Sequence, residues 1–313
     1  MDYVALPKIE LHAHLTGSIS RRTLHDIWLR KVEACQTDLQ DPLEVMPEGK
    51  HDYNIQTFFP LFSKYIYNLL VDEASIREAT TAVLQGFHDD GVVYLELRTT
   101  PRATAHLSAE AYVRTVLAAV ADFGGAHPRM RTRLILSVDR RHDAATAEAV
   151  VALATALRPP VVGRARAAGL GITVHFAEAR ASGSRAELDV LLGWRPRRLG
   201  HVIWEDDEAR REIAARGLCL ELCLSCNVRA GMVEGGFAGH HLGYWRTVKG
   251  PKISLATDDV GVFGSPLSNE YELAALHFNL DRQDICSLAR EAIDSIFGSE
   301  EDKEWLRSIM WTS

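Results

Sequence analysis

The chain has 313 residues, of which 47% are hydrophobic and 25% charged, and its formal net charge is −7. This composition is ordinary for a globular protein with a large core, and the length allows one or two domains. The acidic balance argues against a binder of nucleic-acid polymers, which needs basic patches, but it leaves a single nucleotide open as a ligand. Five irregularly spaced cysteines do not resemble a disulfide framework, and no apolar run approaches a membrane span, so we expect a cytoplasmic protein that does not bind membranes.

Short strand-like stretches alternate with helical patterns along the chain. Strands are predicted over residues 8–14, 92–98, 133–138, 171–175, 198–201, 218–223 and 252–256. Helices are predicted over residues 20–29, 75–90, 108–123, 144–157, 184–192, 206–216, 269–276, 282–297 and 301–309. The alternation predicts a parallel sheet with right-handed crossovers, and a generous count of eight strand positions favours an α/β TIM-type (β/α)8 barrel. We expect residues 1–313 to form one domain with extra helices near the N-terminus.

The segment before the second predicted strand is less regular. Residues 33–54 are polar, contain prolines, and read as an excursion from the barrel. Residues 57–67 are dense in aromatic side chains, which favours a helix packed on the core, with a lid over an apolar ligand as the alternative.

The fourth βα unit is short. Only residues 159–170 separate the alanine-rich helix from the strand at residues 171–175, whereas a βαβ unit needs about thirty residues. Residues 161–163 could form a strand stub and residues 164–168 little more than one helical turn. We therefore predict that this unit of the barrel is truncated.

Several predicted strands end in side chains that bind metals or carry protons. In a barrel, the carboxyl ends of the strands converge on the face where catalysis occurs. His12 and His14 are two residues apart and point to the same side of a strand, and nitrogen and oxygen ligands suit zinc. The predicted zinc ligands are His12, His14, His175 and Asp258.

Three further side chains follow the same strand ends. Bound zinc lowers the pKa of its water, and Glu178, three residues beyond His175, could donate a proton. His201 could orient or deprotonate the water, and Asp259 could accept a hydrogen bond. Each residue also has a structural alternative as a packed histidine, a loop carboxylate or a turn cap, but jointly these alternatives explain the pattern poorly. The cysteines at positions 219, 223 and 226 favour a thiol-lined core strand over a second metal site.

The motifs at these strand ends resemble the adenosine deaminase family, in particular its adenosine-deaminase-like branch, the N6-methyl-AMP deaminases. The resemblance spans nearly the whole chain. It is carried by residues 6–15 (LPKIELHAHL), 94–102 (YLELRTTPR), 136–141 (LSVDRR), 198–201 (RLGH) and 257–263 (TDDVGVF).

The resemblance implies that His12, His14, His175 and Asp258 hold one zinc ion, that Glu178 is the proton donor and that His201 assists the water. It also implies a set of substrate contacts: His14, Thr16, Thr99, Thr100, Pro101, Arg102, Asp139 and Asp259. Arg102 is a suitable partner for a phosphate group. Two features depart from the family pattern: Thr16 replaces an asparagine, and the fourth unit lacks the family's Asp-Leu-x-Gly strand end.

We therefore predict a zinc-dependent aminohydrolase that converts N6-methyl-AMP, or a related N6-substituted AMP, to IMP and an amine. We expect the enzyme to act as a monomer on a small purine ligand. Two alternatives stay open: an adenosine deaminase that acts on the nucleoside, and a non-catalytic remnant whose barrel is impaired by the short fourth unit.

Overall fold

Short parallel strands form the centre of the fold. The structure, a computed structural model, describes residues 1–51, 53–157 and 170–313. Within these ranges the strands are β1 (Lys8–His14), β2 (Val92–Thr99), β3 (Arg131–Leu136), β4 (Thr173–Phe176), β5 (Arg198–His201), β6 (Cys219–Leu222) and β7 (Lys252–Leu255). The predicted strands are confirmed. The strands at residues 8–14 and 198–201 have the predicted bounds, and the others differ by one or two residues at their ends. The predicted strand stub at residues 161–163 lies outside the described residues.

The strands form two groups of parallel strands, and the groups are joined where the first strand lies beside the segment that follows the last. One group has the order β1-β2-β3, and the other has the order β4-β5-β6-β7. The groups join beyond β7, where the Asp258 N–H donates to the carbonyl of His12 at 2.8 Å and the His14 N–H donates to the carbonyl of Asp258 at 3.0 Å. The order of the described strands is therefore β3-β2-β1-β7-β6-β5-β4. Placing the first strand beside the last is the closure expected of a barrel.

Helices follow most of the strands and cover the outside of the sheet. The long helices are α1 (Arg21–Glu33), α5 (Glu73–Asp89), α6 (Ala109–Ala126), α7 (Ala144–Ala156), α8 (Arg185–Gly193), α9 (Asp207–Arg216), α13 (Leu267–Phe278), α14 (Arg282–Glu291) and α15 (Glu300–Ile309). The short ones are α2 (Pro42–Val45), α3 (Ile55–Leu61), α4 (Tyr67–Leu69), α10 (Leu224–Arg229), α11 (Leu242–Trp245) and α12 (Val260–Phe263). Within the described ranges, none of the helices has the length and apolarity needed to cross a bilayer.

Side-chain caps set the starts of the long helices. Ser20 accepts a hydrogen bond from the backbone N–H of Thr23, and Ser108 accepts one from that of Ala111. Such a cap satisfies one of the N–H groups that have no partner inside the first helical turn. Serine or aspartate at these positions is visible in the sequence, which explains why most helix starts were predicted to within two residues.

The helix predicted for the aromatic segment at residues 57–67 is present, although it is not one regular α-helix. A π-helical turn at Phe62–Ile66 joins α3, which contains Pro60, to α4. The glycine-rich sequence of residues 231–243 predicts one long loop. The structure corrects this, because the stretch includes a 3-10 turn at Phe237–Gly239 and the start of α11. The predicted helix over residues 282–297 ends earlier, at Glu291, and continues as a 3-10 turn.

The interior contains a buried ionic network. Arg198 on β5 is 0% exposed, and its guanidinium pairs with Glu96 on β2 at 2.7 Å and with Glu221 on β6 at 2.5 Å. The remaining nitrogen, Nη1, donates to the carbonyl of Ser295, and the guanidinium lies over the ring of Phe297, 3.7 Å from the ring centre. Arg198 thus connects the two strand groups across the interior.

Removing Arg198 should destabilise the protein strongly. In Arg198→Ala, the carboxylates of Glu96 and Glu221 would stay buried without this cation, and losing one partner of a buried pair costs about 3–5 kcal/mol. Arg77→Ala is the matched control, because Arg77 and Asp122 pair at the surface and such pairs contribute less than about 1 kcal/mol. Urea denaturation of both variants gives the free energies of unfolding. Equal losses in the two variants would contradict the importance of the network.

Candidate active site

Imidazole and carboxylate groups converge at the carboxyl ends of β1, β4 and β7. Nε2 of His175 lies 3.2 Å from Nε2 of His12 and 3.1 Å from Nε2 of His14. Oδ1 of Asp258 lies 3.5 Å from the same atom of His12 and 3.3 Å from that of His14. The structure therefore brings the four predicted zinc ligands together.

These separations fit a metal ion in the middle of the group. Tetrahedral ligands bound to zinc at about 2.0–2.1 Å are about 3.3 Å apart. The four measured separations scatter around that value. Burial also holds the pKa of His175 well below its ordinary value, which keeps this imidazole neutral and its lone pair available.

His201 is a fifth candidate ligand at the end of β5. One of its nitrogens lies within 4.8 Å of the ligand atoms of His12, His175 and Asp258. Its Nε2 is buried, has no hydrogen-bond partner among the described residues, and lies 3.8 Å from Oε1 of Glu178. The geometry therefore offers two overlapping sets of four ligands, one with His14 and one with His201.

The backbone at these strand ends is unusual. Ala177, His201, Val202 and Asp258 all have positive φ, between 50° and 66°, although none is glycine. A non-glycine residue in this left-handed region costs about 1–2 kcal/mol. The tertiary contacts must compensate for this cost, and such strain often accumulates at functional sites.

Glu221 orients His12, although it is not among the site residues predicted from the sequence. Its Oε2 lies 2.6 Å from Nδ1 of His12 and 2.9 Å from the guanidinium of Arg98. Because a carboxylate only accepts, Nδ1 of His12 must donate, and Nε2 therefore has the lone pair. That nitrogen lies 3.3 Å from Nη1 of Arg98, a donor, and a metal ion would compete with Arg98 for the lone pair. The sequence did contain a signal, since a glutamate in the apolar strand at residues 218–223 needs a buried partner.

The two aspartates after β7 have different surroundings. Oδ2 of Asp258 accepts a hydrogen bond from the thiol of Cys226 at 2.9 Å, so this cysteine supports the site and is not only core. Burial raises the pKa of Asp259 well above its ordinary value, and the charges of Asp258 and Glu178 raise it further. Asp259 packs against Gly17 so closely that a Cβ there would lie 1.5 Å from Oδ1.

Three of the predicted substrate-binding residues are joined by two tyrosines in one continuous wall. The side chain of Thr16 faces the hydroxyl of Tyr67 and favours its ionised form, although burial raises the pKa of Tyr67 overall, and the Tyr67 ring lies 4.4 Å from the guanidinium of Arg102. Arg102 also lies 4.9 Å from the ring of Tyr112, whose hydroxyl is 2.7 Å from Oγ1 of Thr99. Among the described residues no carboxylate forms an ion pair with Arg102, so its charge is available to a ligand.

The other predicted substrate contacts are less directly placed. Pro101 is buried and Thr100 half-buried, next to Arg102 in the loop after β2. Asp139 follows β3 and accepts hydrogen bonds from Arg141, which lower the pKa of its carboxyl to about 2. A ligand would therefore meet Asp139 as an ionised carboxylate that already has a cationic partner.

A sequence model of the family described as adenosine deaminase matches residues 7–163 and 160–312. The chain belongs to the adenosine deaminase family. It is 34% identical to the N6-methyl-AMP deaminase-L of Xenopus laevis, over 97% of this chain and 93% of that protein. The human N6-methyl-AMP deaminase is 32% identical, with 97% and 92% covered. Among solved structures, Arabidopsis ADAL complexed with GMP has a TM-score of 0.87 at 31% identity, with 98% and 97% of the two chains covered.

Membership of this family confirms the resemblance inferred from the motifs and the prediction of a deaminating enzyme. Together with the strand order, it also supports the predicted TIM-type α/β architecture with parallel strands.

Gly200 leaves space for the His12 ring, and filling that space should weaken metal binding. A Cβ at Gly200 would lie 2.4 Å from Cε1 and 2.8 Å from Nδ1 of His12, so Gly200→Ala must displace the imidazole. Disturbing the support of a metal ligand lowers affinity about 10–100-fold, and we expect a loss of this size for zinc. Competition with a chromophoric chelator measures it.

Gly124→Ala is the control, because a Cβ at Gly124 in α6 would meet no atom within 4 Å. The control should bind zinc as the unchanged protein does. Unchanged zinc affinity in Gly200→Ala would exclude the placement of His12 at the metal.

Proposed function

We propose that the protein hydrolyses N6-methyl-AMP to IMP and methylamine and uses one zinc ion per chain. The relatives named N6-methyl-AMP deaminase, at 34% and 32% identity over nearly the whole chain, support this substrate. The GMP held by the Arabidopsis relative supports a purine nucleotide ligand. The observation that carries the proposal is the convergence of the His12, His14, His175 and Asp258 ligand atoms at separations that fit zinc.

The proposed zinc ligands are His12, His14, His175 and Asp258. Zinc bound there would lower the pKa of a water molecule towards neutrality and so supply a nucleophile near pH 7. Glu221 and Cys226 hold two of the ligands in place through hydrogen bonds to His12 and Asp258.

Glu178, His201 and Asp259 would act on the purine and on the water. As the oxygen of water adds to carbon six, Glu178 would protonate the neighbouring ring nitrogen. Of the two protons that the water loses, one would pass to the exocyclic nitrogen as its bond to carbon six breaks and methylamine leaves, and the other would return Glu178 to its protonated form. Nε2 of His201 lies 3.8 Å from Oε1 of Glu178, so one bound molecule can contact both groups. Asp259 would hold the purine through its carboxyl group, whose Oδ1 is buried without a partner among the described residues.

Arg102 would bind the phosphate of the substrate. Its guanidinium lies between the rings of Tyr67 and Tyr112, and one amino group donates to the carbonyl of Leu70 at 3.0 Å. These contacts orient the cation without neutralising it. A guanidinium held in this way suits a phosphate group, because its planar donors match phosphate oxygens.

The direct test is release of methylamine from N6-methyl-AMP by the zinc-loaded protein. We expect turnover, and we expect Glu178→Gln to retain zinc but lose activity about 10²–10⁴-fold, because the variant cannot transfer a proton. Methylamine and IMP are quantified by chromatography, and zinc by elemental analysis.

The same assay separates the alternatives. Turnover of adenosine with none of N6-methyl-AMP would indicate a nucleoside deaminase. Zinc binding without turnover of either substrate would indicate a non-catalytic remnant.

Arg102→Ala should distinguish nucleotide from nucleoside substrates. Loss of a charge-assisted hydrogen bond costs about 1.5–3 kcal/mol, so kcat/KM for N6-methyl-AMP should fall about 10–100-fold. The value for N6-methyladenosine, which has no phosphate, should change less than about threefold. Arg114→Ala is the control, since Arg114 pairs with Glu110 on the surface of α6. Equal losses for nucleotide and nucleoside in Arg102→Ala would reject the phosphate contact.

We also propose that the fourth βα unit is shorter than in relatives. The family match is split into two segments that meet at residues 160–163, close to the predicted stub. The alignment with the Xenopus protein extends over 332 positions, more than the 313 residues of this chain, so that relative contains residues that this chain lacks. Sequencing the transcript and gene around the codons for residues 163 and 164 would distinguish a skipped exon from a genuine shortening.

Residues 1–313 are proposed to act as one barrel domain, as a monomer and in the cytoplasm. The central position of β1, between β2 and β7, joins both strand groups into one sheet. All five cysteines are free thiols, which is typical of a reducing compartment. Light scattering of the zinc-loaded protein measures the monomeric state.

A further inference from the structure

A chain of three buried hydrogen bonds ends on His201. The backbone N–H of Leu242 donates to Nδ1 of His240 at 3.1 Å, and Nε2 of His240 lies 3.1 Å from Oδ1 of Asn227. Nδ2 of Asn227 in turn lies 3.0 Å from Nδ1 of His201. All four residues are buried, so water does not compete for these contacts.

The first bond of this chain sets the direction of the others. A backbone N–H can only donate, so Nδ1 of His240 accepts and the neutral ring carries its hydrogen on Nε2. That hydrogen requires an acceptor, which is Oδ1 of Asn227. The amide nitrogen of Asn227 therefore faces His201, and Nδ1 of His201 must accept.

The second hydrogen of the Asn227 amide supports this orientation. Nδ2 also lies 3.8 Å from the sulfur of Met232, which is a weak acceptor and cannot donate. In the opposite orientation, the amide N–H of Asn227 would face the N–H on Nε2 of His240, so that two donors would oppose each other. The carbonyl oxygen of Asn227 would then face the sulfur of Met232, which is also an acceptor. Both neighbours of the amide therefore favour the same arrangement.

We propose that Asn227 and His240 are positioning residues that hold His201 in the tautomer with its hydrogen on Nε2. This inference rests on the proposed function, in which His201 faces the reacting water. His201 then presents an N–H donor to the site, where its Nε2 is buried, has no partner among the described residues and lies 3.8 Å from Glu178. It holds the oxygen that adds to carbon six through a hydrogen bond, and it does not meet that oxygen as a bare base.

Comparison with His12 shows why the two histidines have different roles. Nδ1 of His12 faces the carboxylate of Glu221, an acceptor, so the hydrogen is on Nδ1 and Nε2 has the lone pair that a metal requires. The Arg98 guanidinium, a donor 3.3 Å from Nε2, favours the same tautomer. Nδ1 of His201 faces a donor, so Nε2 carries the hydrogen and has no lone pair for a metal. Of the two overlapping ligand sets, this pattern selects the one that contains His14.

The tautomer can be measured directly in the zinc-loaded protein labelled with nitrogen-15 at histidine. Long-range proton–nitrogen correlation spectra separate protonated, bare and metal-bound ring nitrogens, and the spectrum of His201→Gln identifies the signals of His201. We expect Nε2 of His201 to be protonated and Nδ1 to be bare. A protonated Nδ1, or a metal-bound Nε2, would overturn the proposal. This measurement needs no turnover, so it can fail or succeed independently of the proposed function.

Asn227→Asp should reverse the tautomer with almost no change in shape. One carboxylate oxygen would still accept from His240, while the other would accept from Nδ1 of His201, so the hydrogen would leave Nε2. We expect the His201 signals to exchange and kcat for N6-methyl-AMP to fall about 10²–10³-fold, as for loss of one donor to a developing oxyanion, with KM within about threefold.

Asn54→Asp is the matched control, because Asn54 caps α3 and aspartate caps a helix equally well. The control should keep both the His201 signals and kcat. If Asn227→Asp reverses the tautomer but keeps kcat within about threefold, the positioning role is rejected. If this variant does not fold, the spectrum of the unchanged protein still decides the tautomer.

Discussion

Glu221 lies inside the barrel and accepts four hydrogen bonds on its two carboxylate oxygens. The donors are Nδ1 of His12 at 2.6 Å, Arg98 at 2.9 Å, Arg198 at 2.5 Å and Thr173 at 2.9 Å. Burial alone would raise the pKa of this carboxyl, but Arg98 and Arg198 lower it, and the pKa ends well below its ordinary value. A permanently ionised carboxylate therefore both holds the strands from inside and orients the first histidine of the site.

Much of the site could be predicted because barrel topology converts sequence position into spatial position. His12, His14, His175 and Asp258 each follow or end a recognisable strand, and parallel strands in a barrel end on one face. The helix starts were also local signals, since a serine or aspartate cap lies within three residues of the N–H that it satisfies. These inferences needed no knowledge of contacts between distant segments.

The direction of the hydrogen bonds could not be predicted in the same way. Whether a histidine offers a lone pair or an N–H depends on the group that faces its other nitrogen. For His12 that group is Glu221, 209 residues away, and for His201 it is Asn227 on the short helix α10. The left-handed backbone of His201 and Asp258 is also stabilised by tertiary contacts, because aspartate and histidine tolerate this region better than most residues but local sequence alone does not specify it.

The position of the strands within the sheet has a consequence for variation among related chains. Two of the strands that lead to the proposed metal site, β1 and β7, occupy the middle of the sheet, while His175 comes from β4, which among the described strands is an edge strand like β3. Besides its pairing with β5, strand β4 is held by Arg140, which donates to the carbonyl of His175 at 3.2 Å and forms an ion pair with Glu187. A longer or shorter crossover before β4 in related chains would therefore displace the His175 imidazole first, and the other three proposed ligands, which come from the middle of the sheet, would move less.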